Sequence, residues 1–342
     1  MAHQATFNCA HETCQIACQN DLPFGGKSVI LLGDFRQTCP VIKGGSHHET
    51  IASSIKSSSL WPMFQRVSLT TPICHATDPG YAQFVNAMGD GAGPSIDVSS
   101  FHVVHDFHEM INSIYPLDVL LNPVKCLKHA ILAPTNDQVD SYNNAILNLI
   151  NTDSCTYIAT DTLKEADNVG IDPPSSIFDY ATTHRFPGLP PHALHLKKNT
   201  VCRLLRNLSV DRGLVKNTRV LIVNLGCHLI TVRLIDNQSD PSGHHSEDIL
   251  IPHIIFTYKL PSFGHTLIRR HFPLAPCYAT TFNSCQGLTL DRVGINLINP
   301  AFNHGQLYTA FSCVRTRHDL CLRLPRDSSS TYNVTFHELL TS

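Results

Sequence analysis

The residues best placed for chemistry follow a short apolar run. Residues 28–32, Ser-Val-Ile-Leu-Leu, end at Gly33, and the polar stretch Asp34-Phe35-Arg36-Gln37 comes next. A short, fully apolar run bounded by glycines reads as a buried parallel strand. Ligands of open α/β sheets bind at the C-terminal ends of such strands, so Asp34 and Gln37 would emerge where a ligand sits. The competing reading is an ordinary polar strand-to-loop turn. Two basic stretches follow: Lys197, Lys198, Arg203, Arg206, Arg212, Lys216 and Arg219, then Arg269-Arg270-His271. Either a groove tracking a nucleic-acid backbone or a solvated basic face gives such stretches. No GxxxxGK[ST] occurs in these residues, so they encode neither a phosphate-cradling loop nor its lysine.

Bulk properties narrow the classes. With 25 Lys+Arg against 27 Asp+Glu the net charge is -2, so there is no global basic field and any nucleic-acid site is a local groove. Hydrophobic residues make up 42% and charged residues 15%, which argues against long disorder. The 13 cysteines form no CxxC pair and the 21 histidines do not join them at zinc-finger spacing, so free thiols in a reducing compartment are expected and no metal site. No signal peptide is evident, and no run of apolar residues is long enough to span a bilayer. A protein that stays intracellular, in the nucleus or elsewhere in the cell, without membrane contact is the expectation.

The elements that must position these residues can be read along the 342-residue chain, which suits about two domains with a small insertion. Residues 5–20 read as a helix, broken at Pro23-Phe24-Gly25-Gly26. A helical stretch near 50–60, a strand at 67–70 and a helix through Tyr81, Phe84, Val85 and Met88 follow, and the glycine-rich loop at 89–94 marks a possible domain boundary. A second α/β unit starts with a strand at 129–133, turns at Pro134-Thr135-Asn136 and continues as the helix of Val139, Tyr142, Ile146 and Ile150. From about 189 to 255 the texture changes to short strands, with a hairpin of 218–225 and 228–235 around Gly226 and a polar surface loop at 239–247. The α/β pattern resumes with a strand at 293–297, a helix from about 305 to 314 and a strand at 320–324.

Three stretches together carry a family resemblance. Residues 24–42, FGGKSVILLGDFRQTCPVI, resemble the third motif of the petite-integration-frequency helicases (Pif/RecD type, superfamily 1B). Residues 188–223 are similar to the small β-barrel insertion of that family. Residues 269–316, including TTFNSCQGLTL and QLYTAFSCVRT, resemble its fifth and sixth motifs. The Helitron transposon helicases are the most similar branch. The resemblance implies an α/β fold of RecA-like P-loop NTPase domains, the first incomplete, with a small SH3-like β-barrel inserted. It divides the chain into 1–94 (rest of the first RecA-like domain), 95–187 with 258–342 (second), and 188–257 (barrel).

Function follows from the resemblance as expectation. It implies an ATP-dependent 5′-to-3′ DNA helicase with ATP and Mg²⁺ as cofactors, acting as a monomer on single-stranded or forked DNA in repair, recombination, telomere maintenance or transposon replication. Gln37 becomes the γ-phosphate sensor, because a carboxamide can accept from an attacking water while donating to a phosphate oxygen. Asp34 helps link nucleotide to DNA. Gln286 and Gly287 join the nucleotide site, and Thr289 bonds a DNA phosphate. Further DNA contacts carry over to Thr135, Asn136, His192, Lys197, Arg206, Asn207, His304, Gln306 and Tyr308.

The departures matter as much. Where the family has Lys-Ser before the glutamine, this chain has Ser284-Cys285, and where the sixth motif has Ala-x-Ser-Arg it has Ala310-Phe311-Ser312-Cys313. The Asn-Met-Arg after the second strand is replaced by Pro72-Ile73-Cys74. A thiol has neither the charge nor the fork of donors of a guanidinium. Met1-Ala2-His3 matches a segment just after the family's Mg²⁺-binding carboxylates, so an N-terminally truncated helicase unable to hydrolyse ATP alone is expected. The alternative is an inactive single-stranded-DNA-binding fragment or transposon remnant.

Overall fold

The computed structural model describes every residue except Met1, Lys43, 70–74, 166–174, 236–246, 261–262 and Ser342. It forms two compact units: Met1–Ile114 with Ile131–Val139 and Thr280–Ser342, and Tyr115–Ala130 with Asp140–Ala279.

The first unit is built on a five-stranded sheet in the order Ala279–Thr281, His129–Ala133, Arg292–Asn296, Leu320–Arg323, His102–Val104. The last three strands run parallel, with Val293 opposite Leu320 and Cys321 opposite His102. Ala130–Ala133 and Val293–Asn296 are buried on both faces, as continuous apolar runs in parallel sheets require. The helix Phe107–Ile114 lies so close to the sheet that a Cβ on Gly294 would come within 2.5 Å of Met110 Sδ. The helices Asn136–Leu149 and Gln306–Phe311 stand where the sequence pattern puts them.

At the front of this unit the helix Gln4–Cys18 begins where His3 accepts a hydrogen bond from the Ala5 N–H and ends at Gln19 in the left-handed region (φ 50°), and the turn Pro23–Gly26 follows. Phe7, Phe24 and Phe64 gather there with ring centroids 5.5–6.0 Å apart. Residues 28–32 depart from expectation: they form no strand, and Ile30 and Leu32 are 86% and 89% exposed. Residues 67–69 are likewise outside any strand, with Val67 and Leu69 exposed, and residue 70 lies outside the described residues. The cause is physical. An apolar run becomes a buried strand only when flanking strands satisfy its backbone and neighbouring layers cover its side chains, and the described residues supply neither.

The second unit is antiparallel. Five strands run in the order Asp248–Pro252, Leu229–Leu234, Arg219–Leu225, Val201–Leu204, Leu274–Pro276. Their alternating inward residues, among them Leu204, Val220, Ile222, Ile230, Val232 and Ile251, form one core. The hairpin read from sequence is present as Arg219–Leu225 and Leu229–Leu234, with a β-bulge between Ile222 and Asn224. Gly226 must stay glycine, since a Cβ there would sit 2.4 Å from the Leu229 carbonyl. Of the loop expected at 239–247, residues 239–246 lie outside the described residues. A further sheet sets His265–His271 between Ile254–Leu260 and Thr160–Glu165. Strand alternation there corrects the reading of Arg269-Arg270-His271 as a basic surface. Arg269 and His271 point inward and are fully buried, and only Arg270 is exposed.

Candidate functional site

The site forms where residues 34–38 turn back against the segment 304–309. The Gln37 N–H donates to the Asp34 carbonyl at 3.2 Å, closing the turn. Asp34 Oδ1 accepts from the Arg36 backbone N–H (3.0 Å) and from Arg36 Nε (3.1 Å), while Oδ2 accepts from the Tyr308 hydroxyl at 2.7 Å. Arg36 extends onward to Asn86 Oδ1 at 3.0 Å and lies over the Tyr308 ring, 5.0 Å from its centroid. Burial works to lower the Arg36 pKa, and the hydrogen bond and charge of Asp34 more than reverse it, so the guanidinium stays charged. Burial, reinforced by Asp34, pushes the Tyr308 hydroxyl well up, so it acts as a donor.

Two more contacts fix the turn. Thr309 Oγ1 accepts from the Thr38 N–H at 3.2 Å. The His304 ring bridges two backbones, with Nδ1 accepting from the Phe336 N–H (2.8 Å) and Nε2 2.7 Å from the Phe35 carbonyl. The first bond requires a bare Nδ1, which assigns the proton to Nε2 and makes it the donor to Phe35. Burial lowers the His304 pKa, in keeping with a neutral ring. The neighbouring Gly305 has φ +69°, and a Cβ there would lie 2.4 Å from the Arg36 carbonyl oxygen. Only glycine allows the two segments to approach this closely.

On the exposed rim, Gln286 Nε2 donates to Gln37 Oε1 at 2.8 Å. Residues 249 apart in sequence thus join carboxamide to carboxamide, and the Gln37 NH₂ still has donors to offer. Gln286, Gly287 and Thr289 are exposed on the turn after the strand Ala279–Thr281, and Gly287 has φ +81°. Thr135 and Asn136 open the helix after the adjacent strand, where the Phe282 N–H donates to the Ala133 carbonyl at 3.2 Å.

The expected site residues do not all share one setting. Asp34, Gln37, Gln286, His304 and Tyr308 meet in one hydrogen-bonded cluster. His304, Gln306 and Tyr308 are buried, and Gln306 Oε1 accepts from the Phe302 and Asn303 N–H groups, tying down the loop that precedes its helix. The side chains of these three therefore act here as scaffold. In the second unit His192 is 2.8 Å from Asp161, Lys197 donates to the Ile150 carbonyl, Asn207 accepts from the Lys216 N–H, and Arg206 lies over the Phe256 ring.

Sequence reasoning passes over Arg36, Asn86 and Thr309. Arg36 stands inside the quoted Gly-Asp-Phe-Arg-Gln motif, and a guanidinium between a carboxylate and a carboxamide is the signal that could have found it. Cys313, at the expected arginine position, is buried with Sγ 3.3 Å from the Thr309 carbonyl and 3.5 Å from the Cys285 carbonyl. Arg317 does not replace it: its guanidinium donates to Ser100 Oγ and lies over the Phe101 ring, while its backbone N–H donates to Asp78. Residues 72–74 lie outside the described residues.

These side chains do not fit a Mg²⁺–nucleotide by themselves. The Asp34 carboxylate is occupied by Arg36 and Tyr308, Arg36 is turned to Asp34 and Asn86, and no group of metal-binding geometry exists among the described residues.

Comparison with known proteins accounts for this architecture. Residues 1–95 match the model of the PIF1-like helicase family, and residues 179–225 match that of the DNA helicase Pif1 2B domain. In both regions the chain is similar to PIF1-like helicases. Among curated relatives, the ATP-dependent DNA helicase PIF1 of Emericella nidulans is 22% identical across 90% of this chain and 43% of its own length. That of Rattus norvegicus is 26% identical across 88% of this chain and 41% of its own. The chain thus spans about two fifths of these relatives. Bacteroides Pif1 bound to ssDNA superposes on all of this chain and 70% of its own with a TM-score of 0.66 at 19% identity. Candida albicans Pif1 helicase covers 99% of this chain and 73% of its own, with a TM-score of 0.63 at 20% identity. These likenesses establish an α/β fold shared with PIF1-like helicases.

Proposed function

We propose that this chain is a DNA helicase portion in which the 34–38 turn couples a nucleotide to the DNA-facing turn 286–289, and that by itself it binds single-stranded DNA without hydrolysing ATP. The observation that carries the reading is the Gln37–Gln286 contact at 2.8 Å, which makes one unit of the two stretches resembling the third and fifth helicase motifs. A carboxamide held at this turn can register a phosphate oxygen and pass its movement to residues that grip a strand. Hydrolysis further requires a phosphate loop, metal-binding carboxylates and an arginine aimed at the transferring group, and these 342 residues offer no GxxxxGK[ST] and an inward thiol at 313. In this reading the antiparallel block 188–257 is a small SH3-like barrel insertion; exposed Asn136 and Thr289 are strand contacts of the first unit, and half-buried Arg206 is a separate candidate contact of the second. The family resemblance supplies the 5′-to-3′ direction, the Helitron origin, the intracellular site of action and the role in repair, recombination or transposon replication.

The test uses the purified chain. DNA-stimulated ATP hydrolysis should stay at background, while a labelled oligonucleotide should bind with an affinity that falls steeply as salt rises. Turnover that disappears in Gln37→Ala would refute the first part, and a flat anisotropy titration at low salt the second.

The exposure of Ile30, Leu32, Val67 and Leu69 favours one competing reading, a remnant whose front part is prone to associate. It predicts concentration-dependent aggregation and strong binding of an apolar dye, and a monodisperse monomer by light scattering removes it.

A further inference from the structure

The second unit holds a charge arrangement that its fold leaves uncompensated. Strands Val201–Leu204 and Arg219–Leu225 pair antiparallel with Arg203 directly opposite Arg219. Residues so placed have Cβ atoms about 5 Å apart, and like charges there repel. The strand on the other side brings no relief, because Ala275 stands opposite Arg203. Arg203 donates from Nη1 to Asn217 Oδ1 at 3.2 Å and Arg219 from Nη1 to the Leu127 carbonyl at 2.7 Å, both neutral acceptors. Arg203 Nε is buried and has no acceptor among the described residues. The carboxylate of the neighbourhood, Asp140, is held at 2.8 Å by a third guanidinium, that of Arg185. Cys277, the other acidic neighbour, is buried, and burial holds its thiol neutral. Burial, with Arg219 and Arg185, pulls the Arg203 guanidinium below its ordinary range, and Asp140 only partly opposes this.

Arg203 and Arg219 therefore face each other on half-buried positions of the sheet with neutral acceptors only, while the nearby Asp140 carboxylate is engaged by the exposed Arg185. We propose that Arg203 and Arg219 form an oxyanion site that takes a phosphate group, either of a single-stranded phosphodiester backbone or of a small phosphate compound. Planar donor forks on adjacent strands can each offer two parallel N–H bonds to a tetrahedral oxyanion, and the bound charge cancels the cross-strand repulsion. The competing account, two arginines serving only as cross-links to Asn217 and Leu127, leaves the repulsion and the orphaned Nε without purpose and predicts no response to phosphate.

The test compares thermal midpoints of the full chain in sodium phosphate and sodium chloride at matched ionic strength, with phosphate kept at millimolar levels, below the range of its general stabilising effect. The wild-type midpoint should rise in phosphate, the rise should vanish in R203Q and R219Q, and R203K should recover part of it. Anisotropy with a labelled oligothymidylate separates the two sources. If the ligand is a phosphodiester, the slope of log affinity against log salt falls by about 0.7 for each arginine removed. If it is a small phosphate compound, that slope is unchanged although the midpoint response is lost. Should the variants not fold, calorimetric titration of the wild-type chain with inorganic phosphate decides, with saturable one-site binding expected. Equal midpoints in both salts, a phosphate response undiminished in R203Q and R219Q, or no saturable binding overturns the site. Strand binding would survive that failure, so the proposed function is tested separately.

Discussion

Acid should destabilise this protein through one imidazole in particular. His271 is fully buried, and neither ring nitrogen has a partner among the described residues. Burial, joined by the charges of His253 and Arg269, lowers its pKa from 6.5 to about 4, with Asp161 opposing. The unfolded chain accepts a proton that the folded chain refuses, so stability is complete above the ordinary value and drains away as pH falls from there towards the folded value. The full shift corresponds to about 3 kcal/mol, of which about 2 kcal/mol is lost between pH 7 and pH 5. Urea unfolding followed by far-UV circular dichroism at several pH values should show that loss for the wild type and a correspondingly smaller one for His271→Leu. The other buried histidines titrate in both proteins and cancel in the comparison. Identical pH dependences for the two would refute the argument, whatever the absolute stabilities.

Three further outcomes follow from the geometry. Gly305→Ala must fit a Cβ 2.4 Å from the Arg36 carbonyl at φ +69°, so it should cost roughly 1–3 kcal/mol, and an unchanged thermal midpoint would deny the close approach. Asp161 accepts Arg269 at 2.8 and 2.7 Å in a fully buried pair. Removing that partner as Asp161→Ala should cost about 3–5 kcal/mol, whereas Asp161→Leu with Arg269→Met should be milder, and the reverse ranking in urea titrations would contradict the pairing. Ile30→Lys and Leu32→Lys should leave stability within about 0.5 kcal/mol and raise the soluble fraction, because both side chains already face water; a large loss in unfolding free energy would mean they are covered in solution.

How much was legible beforehand varies with the kind of residue. Strands at 129–133 and 293–297 were readable because their apolar runs find neighbours within this chain, and the hairpin around Gly226 because its turn is local. The run at 28–32 has the same texture and fails as a strand, since burial depends on partners that periodicity cannot see. Arg269 looked like a surface cation beside Arg270; the period-two alternation of its strand, visible in the sequence, places it inward, but its partner Asp161 is 108 residues away. The candidate site shows the same limit. Asp34, Gln37 and Gln286 were recognisable from motifs, yet the bridge through His304 and the docking of Arg36 on Asn86 and Tyr308 depend on long-range contacts with no local signature.

The central claim is that the 34–38 turn docks on the segment bearing Tyr308 as one cooperative site. A double-mutant cycle on Asp34→Ala and Tyr308→Phe, read by urea unfolding, tests it most directly, because the hydroxyl meets the carboxylate at 2.7 Å in a partly buried setting. A coupling energy of about 1–3 kcal/mol is expected for a hydrogen bond to a charged group. Effects that add to within about 0.3 kcal/mol would show that the two segments do not meet in solution.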